Sequence, residues 1–149
     1  MLCLLTLLAI GAQVVTSVPS TSGIDASSTA VIGNQTYYFS ALAETLLDAM
    51  AVCADLDMSL VNLETEEEFN APPLKNHWTS GMKVLSSYMW SGVGKQAGYM
   101  NWNPGFPQIT DSSTQSYVYL YDGKMSDATD VMVAYYICEQ REPCKSCAK

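Results

Sequence analysis

The spacing of apolar residues changes once along this chain of 149 residues, and that change limits the fold class. After Ser40, a candidate N-cap, apolar residues recur at a helical spacing that places Cys53 on the buried face: Leu42, Leu46, Ala49, Cys53 and Leu56. The second half of the chain has no such pattern. A helical half followed by a half of strands and loops predicts a single α+β domain.

Five short segments give the expected order of strands and turns. "TYYFS" at 36–40 and "SLVNL" at 59–63 have strand character, and the second half adds "YVYLY" at 117–121 and "VMVAYYIC" at 131–138. The turn "DGK" at 122–124 would join those last two runs. We therefore expect strands on both sides of the helix.

A second, short helix is predicted between the two halves. Thr65 and Glu68 form a T-x-x-E capping box, which is typical of a helix start. Pro72 and Pro73 should end that helix after little more than one turn, because proline cannot continue a helical hydrogen-bond ladder.

The N-terminal segment has the composition of a secretory signal peptide. Its apolar run from Leu2 to Ala12 is too short to span a bilayer, and small residues near Ser17 suit a cleavage site. We expect a secreted, extracellular protein that does not associate with a membrane. The expected division is a signal peptide at 1–18, a flexible lead-in at 19–30, a domain at 31–142 and a cysteine-containing tail at 143–149.

The cysteines and one glycosylation motif are interpreted in that compartment. Cys53, Cys138, Cys144 and Cys147 remain after signal cleavage, and oxidising surroundings favour disulfides over metal binding. The tail thiols Cys144 and Cys147 could pair with each other, join a second chain in a disulfide-linked dimer, or do redox work. "NQT" makes Asn34 a glycosylation acceptor.

Charge and histidine content exclude several functions. The formal charge is −8 and no Lys/Arg cluster exists, so nucleic acid and anionic membranes are poor partners. The only histidine, His77, has no nucleophile motif beside it, so no hydrolase triad is expected. The sequence thus predicts a protein that is not an enzyme.

An ordered set of motifs resembles the C-type lectin-like domain across Val31–Arg141. These are "LVNLETEEE", "HWTSG", "MWSGVGKQAGYMNWNPG" and "YYICE". Within this family, the "HWTSG" motif resembles that of the small secreted single-domain lectins of arthropods. The resemblance implies two helices with the second shortened, small antiparallel sheets and a long loop region. It also implies a Cys53–Cys138 disulfide, while Tyr117 and Asp130 stand where the family has a second bridge.

The resemblance also implies where calcium and sugar would bind. Sugar-binding members carry Glu-Pro-Asn or Gln-Pro-Asp there, with a later Glu and an Asn-Asp pair, and calcium needs about 6–8 oxygen ligands. This chain has Phe106 and Gln108 in the loop, Asp111 or Thr114 at the later position, and Met125-Ser126-Asp127 where the Asn-Asp pair stands. We expect this site to be degraded, with no cofactor bound.

The leading hypothesis is therefore a non-enzymatic recognition protein that binds a glycan or glycoprotein. Its candidate ligand-binding residues are Phe106, Gln108, Asp111, Ser126 and Asp127. Phe106 either contacts the ligand or packs into space left by the missing bridge, and Gln108 and Asp127 could instead be ordinary solvated loop residues. The alternatives are a calcium-dependent lectin, a disulfide-linked protein-interaction subunit and a redox enzyme.

Overall fold

A computed structural model describes residues 29–65 and 75–141 of the chain. This part contains one helix, α1 (Leu46–Asp55), and nine strands. The strands are β1 (Thr29–Ile32), β2 (Gln35–Phe39), β3 (Met58–Leu60), β4 (His77–Val84), β5 (Ser87–Trp90), β6 (Lys95–Gln96), β7 (Tyr117–Tyr121), β8 (Lys124–Ala128) and β9 (Tyr135–Gln140). The α+β class is as predicted.

Several predicted features lie outside the described residues. They are the signal peptide at 1–18, nearly all of the second helix (66–74), and the tail thiols Cys144 and Cys147. The described part of the chain therefore holds one of the two expected helices. Strand β1 begins at Thr29, two residues before the expected domain start.

Helix α1 begins five residues later than its apolar spacing predicted. Thr45 is the N-cap, and its Oγ1 accepts a hydrogen bond from the Asp48 amide at 3.4 Å and donates one to the Asp48 carboxylate at 2.6 Å. Ser40 does not cap the helix, because its hydroxyl accepts the Tyr136 amide at 2.8 Å. An isolated bridge pairs Glu44, just before the N-cap, with Ala134, just before β9. Leu42, assigned to the buried helix face, is 69% exposed.

Strand β9 lies at the centre of the sheet. It pairs antiparallel with β2 and β3 and parallel with β4, which in turn pairs with β5 and β7. Because neighbouring side chains of a strand point to opposite faces, β9 contributes to two buried clusters. Tyr136 and Cys138 pack with α1, and Ile137 packs with the cluster around Trp90.

The structure differs from the prediction after β7 and at the start of the last strand. β7 has the predicted bounds, but the turn at Asp122 and Gly123 leads into β8, which the sequence analysis missed. Both turn residues have positive φ, at 50° and 69°, which suits a tight two-residue hairpin. The sequence of β8 is mostly polar, yet its Ser126 and Asp127 are buried. The final strand begins at Tyr135 rather than 131, since residues before it belong to a loop and the bridge with Glu44.

A disulfide joins the helix to the central strand. Cys53 and Cys138 are bonded, as the family resemblance implies, across a sequence separation of 85 residues. Closing a loop of that length contributes about 4–5 kcal/mol by the chain-entropy model. The bond therefore fixes α1 on β9 in addition to the apolar contacts between them.

The close approach of β4 to β7 can be tested at a glycine. A Cβ atom at Gly81 would lie 2.7 Å from Val118 Cβ and 2.9 Å from the Trp90 ring. We expect Gly81→Ala to lower the free energy of unfolding by about 1–3 kcal/mol through overpacking, measured by urea denaturation. Gly98→Ala is the control, since a Cβ there meets nothing within 4 Å. Equal urea midpoints for the two variants would contradict the packing described.

Candidate functional site

The segment between β6 and β7, residues 97–116, is called here the long loop, and its first half is tied to β8. The Asn103 amide donates to the Met125 carbonyl at 2.7 Å, and the Met125 amide donates to the Asn101 carbonyl at 2.7 Å. Asn103 Nδ2 donates to the Ser126 hydroxyl at 2.9 Å. These bonds place the "NWNPG" part of the loop alongside β8, like a short additional strand.

Asp127 ties the second half of the long loop to the same strand. Its Oδ1 accepts the Gln108 amide at 2.7 Å, and its Oδ2 accepts the Ile109 amide at 2.8 Å and the Ser116 hydroxyl at 3.2 Å. The side chain is 6% exposed. A buried carboxylate is costly unless donors compensate it, and here three protein donors do so. Asp127 thus fixes the backbone directly after Pro107.

Asp111 closes a separate turn further along the loop. One carboxylate oxygen accepts the Ser113 amide at 2.9 Å, and the other accepts the hydroxyls of Ser113 at 2.6 Å and Thr114 at 3.3 Å. The Ser113 hydrogen bonds, helped by the positive charge of Lys83, lower the pKa of this exposed carboxyl. These bonds hold Asp111 within its own turn, apart from the Asp127 group.

Phe106 has an intermediate position. Its amide donates to the Asn103 carbonyl at 3.0 Å, and the Phe106–Pro107 peptide bond is cis. The side chain is half-buried and belongs to neither of the two core clusters. The Gln108 side chain is exposed. The loop therefore presents an aromatic ring and an amide two residues apart, on a backbone that Asp127 holds.

The structure places the predicted residues in two groups. Phe106 and Gln108 lie in the part of the loop that is bound to β8, Ser126 and Asp127 lie in β8 itself, and Asp111 lies in the turn that follows in the loop. In residues 29–65 and 75–141, no three His, Cys, Asp or Glu side chains are grouped so that they could hold a metal ion. The candidate site therefore combines one buried carboxylate with an apolar ring and amides.

The sequence analysis missed several residues that hold the loop. Ser116 binds Asp127, Tyr88 lies 3.3 Å from the Ser116 hydroxyl, and Lys83 reaches three carbonyl groups of the loop. No local pattern marks a lone lysine near the end of a strand as a loop contact. Only Asn103, inside the "WNPG" motif, stood in a segment that the resemblance singled out.

The sole histidine is part of the sheet. His77 is buried at the start of β4, and its Nδ1 lies 2.8 Å from the Lys75 carbonyl oxygen. Burial lowers the pKa of its imidazole, which favours the neutral form of the ring. Its ring centroid lies 6.0 Å from that of Tyr135 in the neighbouring strand.

Comparisons with known proteins address the fold. No family model matches the chain. Among solved structures, the carbohydrate-recognition domain of the mouse scavenger receptor C-type lectin is similar, with a TM-score of 0.67 and 23% identity, covering 80% of this chain and 98% of that domain. The chain has a C-type lectin-like fold. A calcium-independent type II antifreeze protein is also similar, with a TM-score of 0.65 and 20% identity, covering 77% of this chain and 92% of that protein.

A curated relative supports the same assignment. The mouse (Mus musculus) low affinity immunoglobulin epsilon Fc receptor is 27% identical in an alignment of 116 residues, and the match covers 73% of this chain. The match spans 35% of the receptor, so this lectin-like chain corresponds to about a third of that protein. The predicted C-type lectin-like fold is confirmed, while its arthropod type stays a prediction. No helix in the described residues is long and apolar enough to cross a membrane.

The role of Asp127 can be tested by a change of one atom. Asp127→Asn removes the charge. Its NH2 group would also face one of the two backbone amides that donate hydrogen bonds to the carboxylate in the wild type. We expect the free energy of unfolding to fall by about 1–3 kcal/mol. Hydrogen exchange should speed up at Gln108 or Ile109, at whichever amide faces the new NH2 group and loses its acceptor.

The control for this prediction is Asp122→Asn. Asp122 is exposed and has a φ of 50°, a conformation that asparagine tolerates, so stability should change by no more than about 0.5 kcal/mol. Unchanged exchange at Gln108 and Ile109 in Asp127→Asn would show that the carboxylate does not hold the loop.

Proposed function

We propose that this chain is a secreted, non-enzymatic recognition protein that binds a glycan or glycoprotein through its long loop, with calcium weak or unnecessary at the usual position. The observation that carries the proposal is that both carboxylate oxygens of Asp127 accept hydrogen bonds from the protein itself. Its carboxylate is bound by the amides of Gln108 and Ile109 and by the Ser116 hydroxyl. The loop is thereby ordered by the chain's own donors.

The donor set does not fit the calcium site that the family resemblance implies. Calcium replaces its water with about 6–8 oxygen ligands, several of them anionic. At the corresponding positions this chain has Phe106, which has no oxygen in its side chain, and Asp127. Both Asp127 oxygens already accept hydrogen bonds from backbone amides. Asp111 bonds within its own turn. One engaged carboxylate is a poor basis for a divalent ion.

Two similar structures support a recognition role that does not depend on calcium. One is a carbohydrate-recognition domain, and the other is an antifreeze protein described as calcium-independent. The same backbone fold thus serves sugar recognition in one protein and works without calcium in another. Both are under 25% identical to this chain, so they support the proposal through the fold alone.

The exposed chemistry of the loop suits contacts with sugars or with a glycoprotein. The Phe106 ring, half-buried on a fixed turn, can stack on the apolar face of a sugar or insert at a protein interface. The exposed Gln108 amide and Asp111 carboxylate add hydrogen-bonding groups for hydroxyls. A non-enzymatic role is supported by His77, whose Nδ1 is engaged with the Lys75 carbonyl.

Secretion and glycosylation remain proposals from the sequence. The signal peptide lies outside the described residues. Asn34 is exposed in the two-residue turn between β1 and β2, beside Gly33 with a φ of +63°, which is an accessible place for a glycan.

We predict that ligand binding survives removal of calcium and depends on Phe106. On a glycan array, the wild-type protein should give the same bound sugars in EDTA as in millimolar calcium, and Phe106→Ala should lose most of that signal. Val31→Ala is the control, because Val31 is 71% exposed and lies in β1, away from the loop. Calcium should leave the melting temperature unchanged. A calcium site in the folded protein would instead raise the free energy of unfolding by about 2.7 kcal/mol at a free calcium concentration of 100 times its Kd.

The opposite result would favour the calcium-dependent lectin. Sugar signals that appear only with calcium, together with a rise in melting temperature that Asp127→Ala abolishes, would contradict the proposal.

A second candidate function, a disulfide-linked interaction subunit, is favoured by an apolar surface near the start of α1. Four exposed side chains lie on two adjacent segments, which the Glu44–Ala134 bridge holds together: Leu42, Leu47, Val131 and Val133, which are 57–76% exposed. Several exposed apolar side chains on neighbouring segments are typical of a protein interaction site. The partner would be a second copy, joined through Cys144 or Cys147 in the tail that follows Arg141.

This second candidate predicts a dimer that depends on the apolar surface. Light scattering should give twice the chain mass, and a non-reducing gel should show a dimer that reduction collapses. Leu47→Lys should lower the dimer fraction, because it buries a charge in the contact. Leu85→Lys is the control, since Leu85 is 87% exposed in the hairpin between β4 and β5. A wild-type monomer under oxidising conditions would exclude this candidate.

A further inference from the structure

The long loop is held by a positive charge that the chain itself supplies. Lys83, near the end of β4, directs its ammonium group at three consecutive backbone carbonyl groups. Its Nζ lies 3.0 Å from the Ile109 oxygen, 3.2 Å from the Thr110 oxygen and 3.4 Å from the Asp111 oxygen. A lysine ammonium has three N–H donors and no acceptor, so three carbonyl oxygens match its full capacity.

The backbone of the same residue holds the other end of this segment. The Lys83 amide donates to the Ser116 carbonyl at 2.8 Å, and the Lys83 carbonyl accepts Gln115 Nε2 at 2.6 Å. One residue of β4 therefore binds the loop at 109–111 through its side chain and at 115–116 through its backbone. The turn between those two attachment points is closed by Asp111 and its bonds to Ser113.

The arrangement has the form of a small cation site. Backbone carbonyl oxygens and a nearby carboxylate are the ligands that hard metal cations prefer. Here the ammonium of Lys83 faces three such oxygens, and its charge also acts on the Asp111 carboxylate. A tethered ammonium needs no free ion in solution, and it loses no translational entropy on binding.

We propose that Lys83 is a positioning residue whose ammonium group serves as a built-in cation, ordering residues 109–115 of the long loop without a bound metal. Together with Asp127, which fixes Gln108 and Ile109, it explains how a loop that has neither a calcium ligand set nor the family's second disulfide keeps one conformation. This inference rests on the proposed function only in taking the ordered segment as part of the ligand surface. The ordering itself is measured without any ligand.

The test compares hydrogen exchange in two lysine variants. Lys83→Met keeps an apolar stem and the backbone contacts but removes the charge and all three donors. We expect exchange in the peptides covering 109–115 to speed up on the order of tenfold, since hydrogen bonds from a charged group are the stronger ones. Exchange in β2 and β9 should stay unchanged. Lys95→Met is the matched control, because Lys95 forms one exposed ion pair with Glu64 at 3.2 Å.

A second variant keeps the test decisive if Lys83→Met does not fold. Lys83→Gln retains two N–H donors without the charge, and its exchange at 109–115 should lie between that of wild type and that expected for the methionine variant. Unchanged exchange at 109–115 in a folded Lys83 variant would overturn the inference. Faster exchange with fully retained glycan binding would leave the role of Lys83 intact and count against the long loop as the ligand site.

Discussion

Strand β9 and its disulfide hold the rest of the domain in place. Cys138 lies opposite Tyr38 in β2 and opposite Leu60 in β3, and its sulfur is bonded to Cys53 of the helix. Four elements thus meet at one residue near the C-terminal end of the fold. Since β9 also pairs in parallel with β4, it joins the helix-containing half to the sheet that carries the long loop. Every position in the candidate site depends on this central strand.

The long loop is built on that frame by polar contacts. Apolar contact places Trp102 against the core cluster, but the segment after Pro107 is held by the Asp127 carboxylate and the Lys83 ammonium. One negative and one positive side chain each satisfy backbone groups of the loop. Such contacts are directional, and they fix backbone position more closely than burial of apolar surface would.

Sequence-based predictions were right where neighbouring residues decide the structure and wrong where residues far apart in the sequence decide it. The short apolar run "YVYLY" predicted β7 correctly, because a run rich in aromatic and β-branched residues favours a strand locally. The helix start was wrong because Ser40, a good N-cap by type, hydrogen-bonds to Tyr136, 96 positions later. β8 was missed because its buried Ser126 and Asp127 read as surface residues. Lys83 gave no signal, since its acceptors lie 26 to 28 positions away.

The sequence alone determined the α+β class and the order of helix α1 and of strands β2, β3, β7 and β9, because local apolar patterns and turn residues act within a few positions. The family motifs added the C-type lectin-like fold, and they singled out the loop around Phe106. Only the tertiary structure decided what that loop's residues do. Asp127 turned out to be a buried acceptor for backbone amides, and Lys83 a donor to backbone carbonyls, because the sheet brings distant parts of the chain within hydrogen-bonding distance.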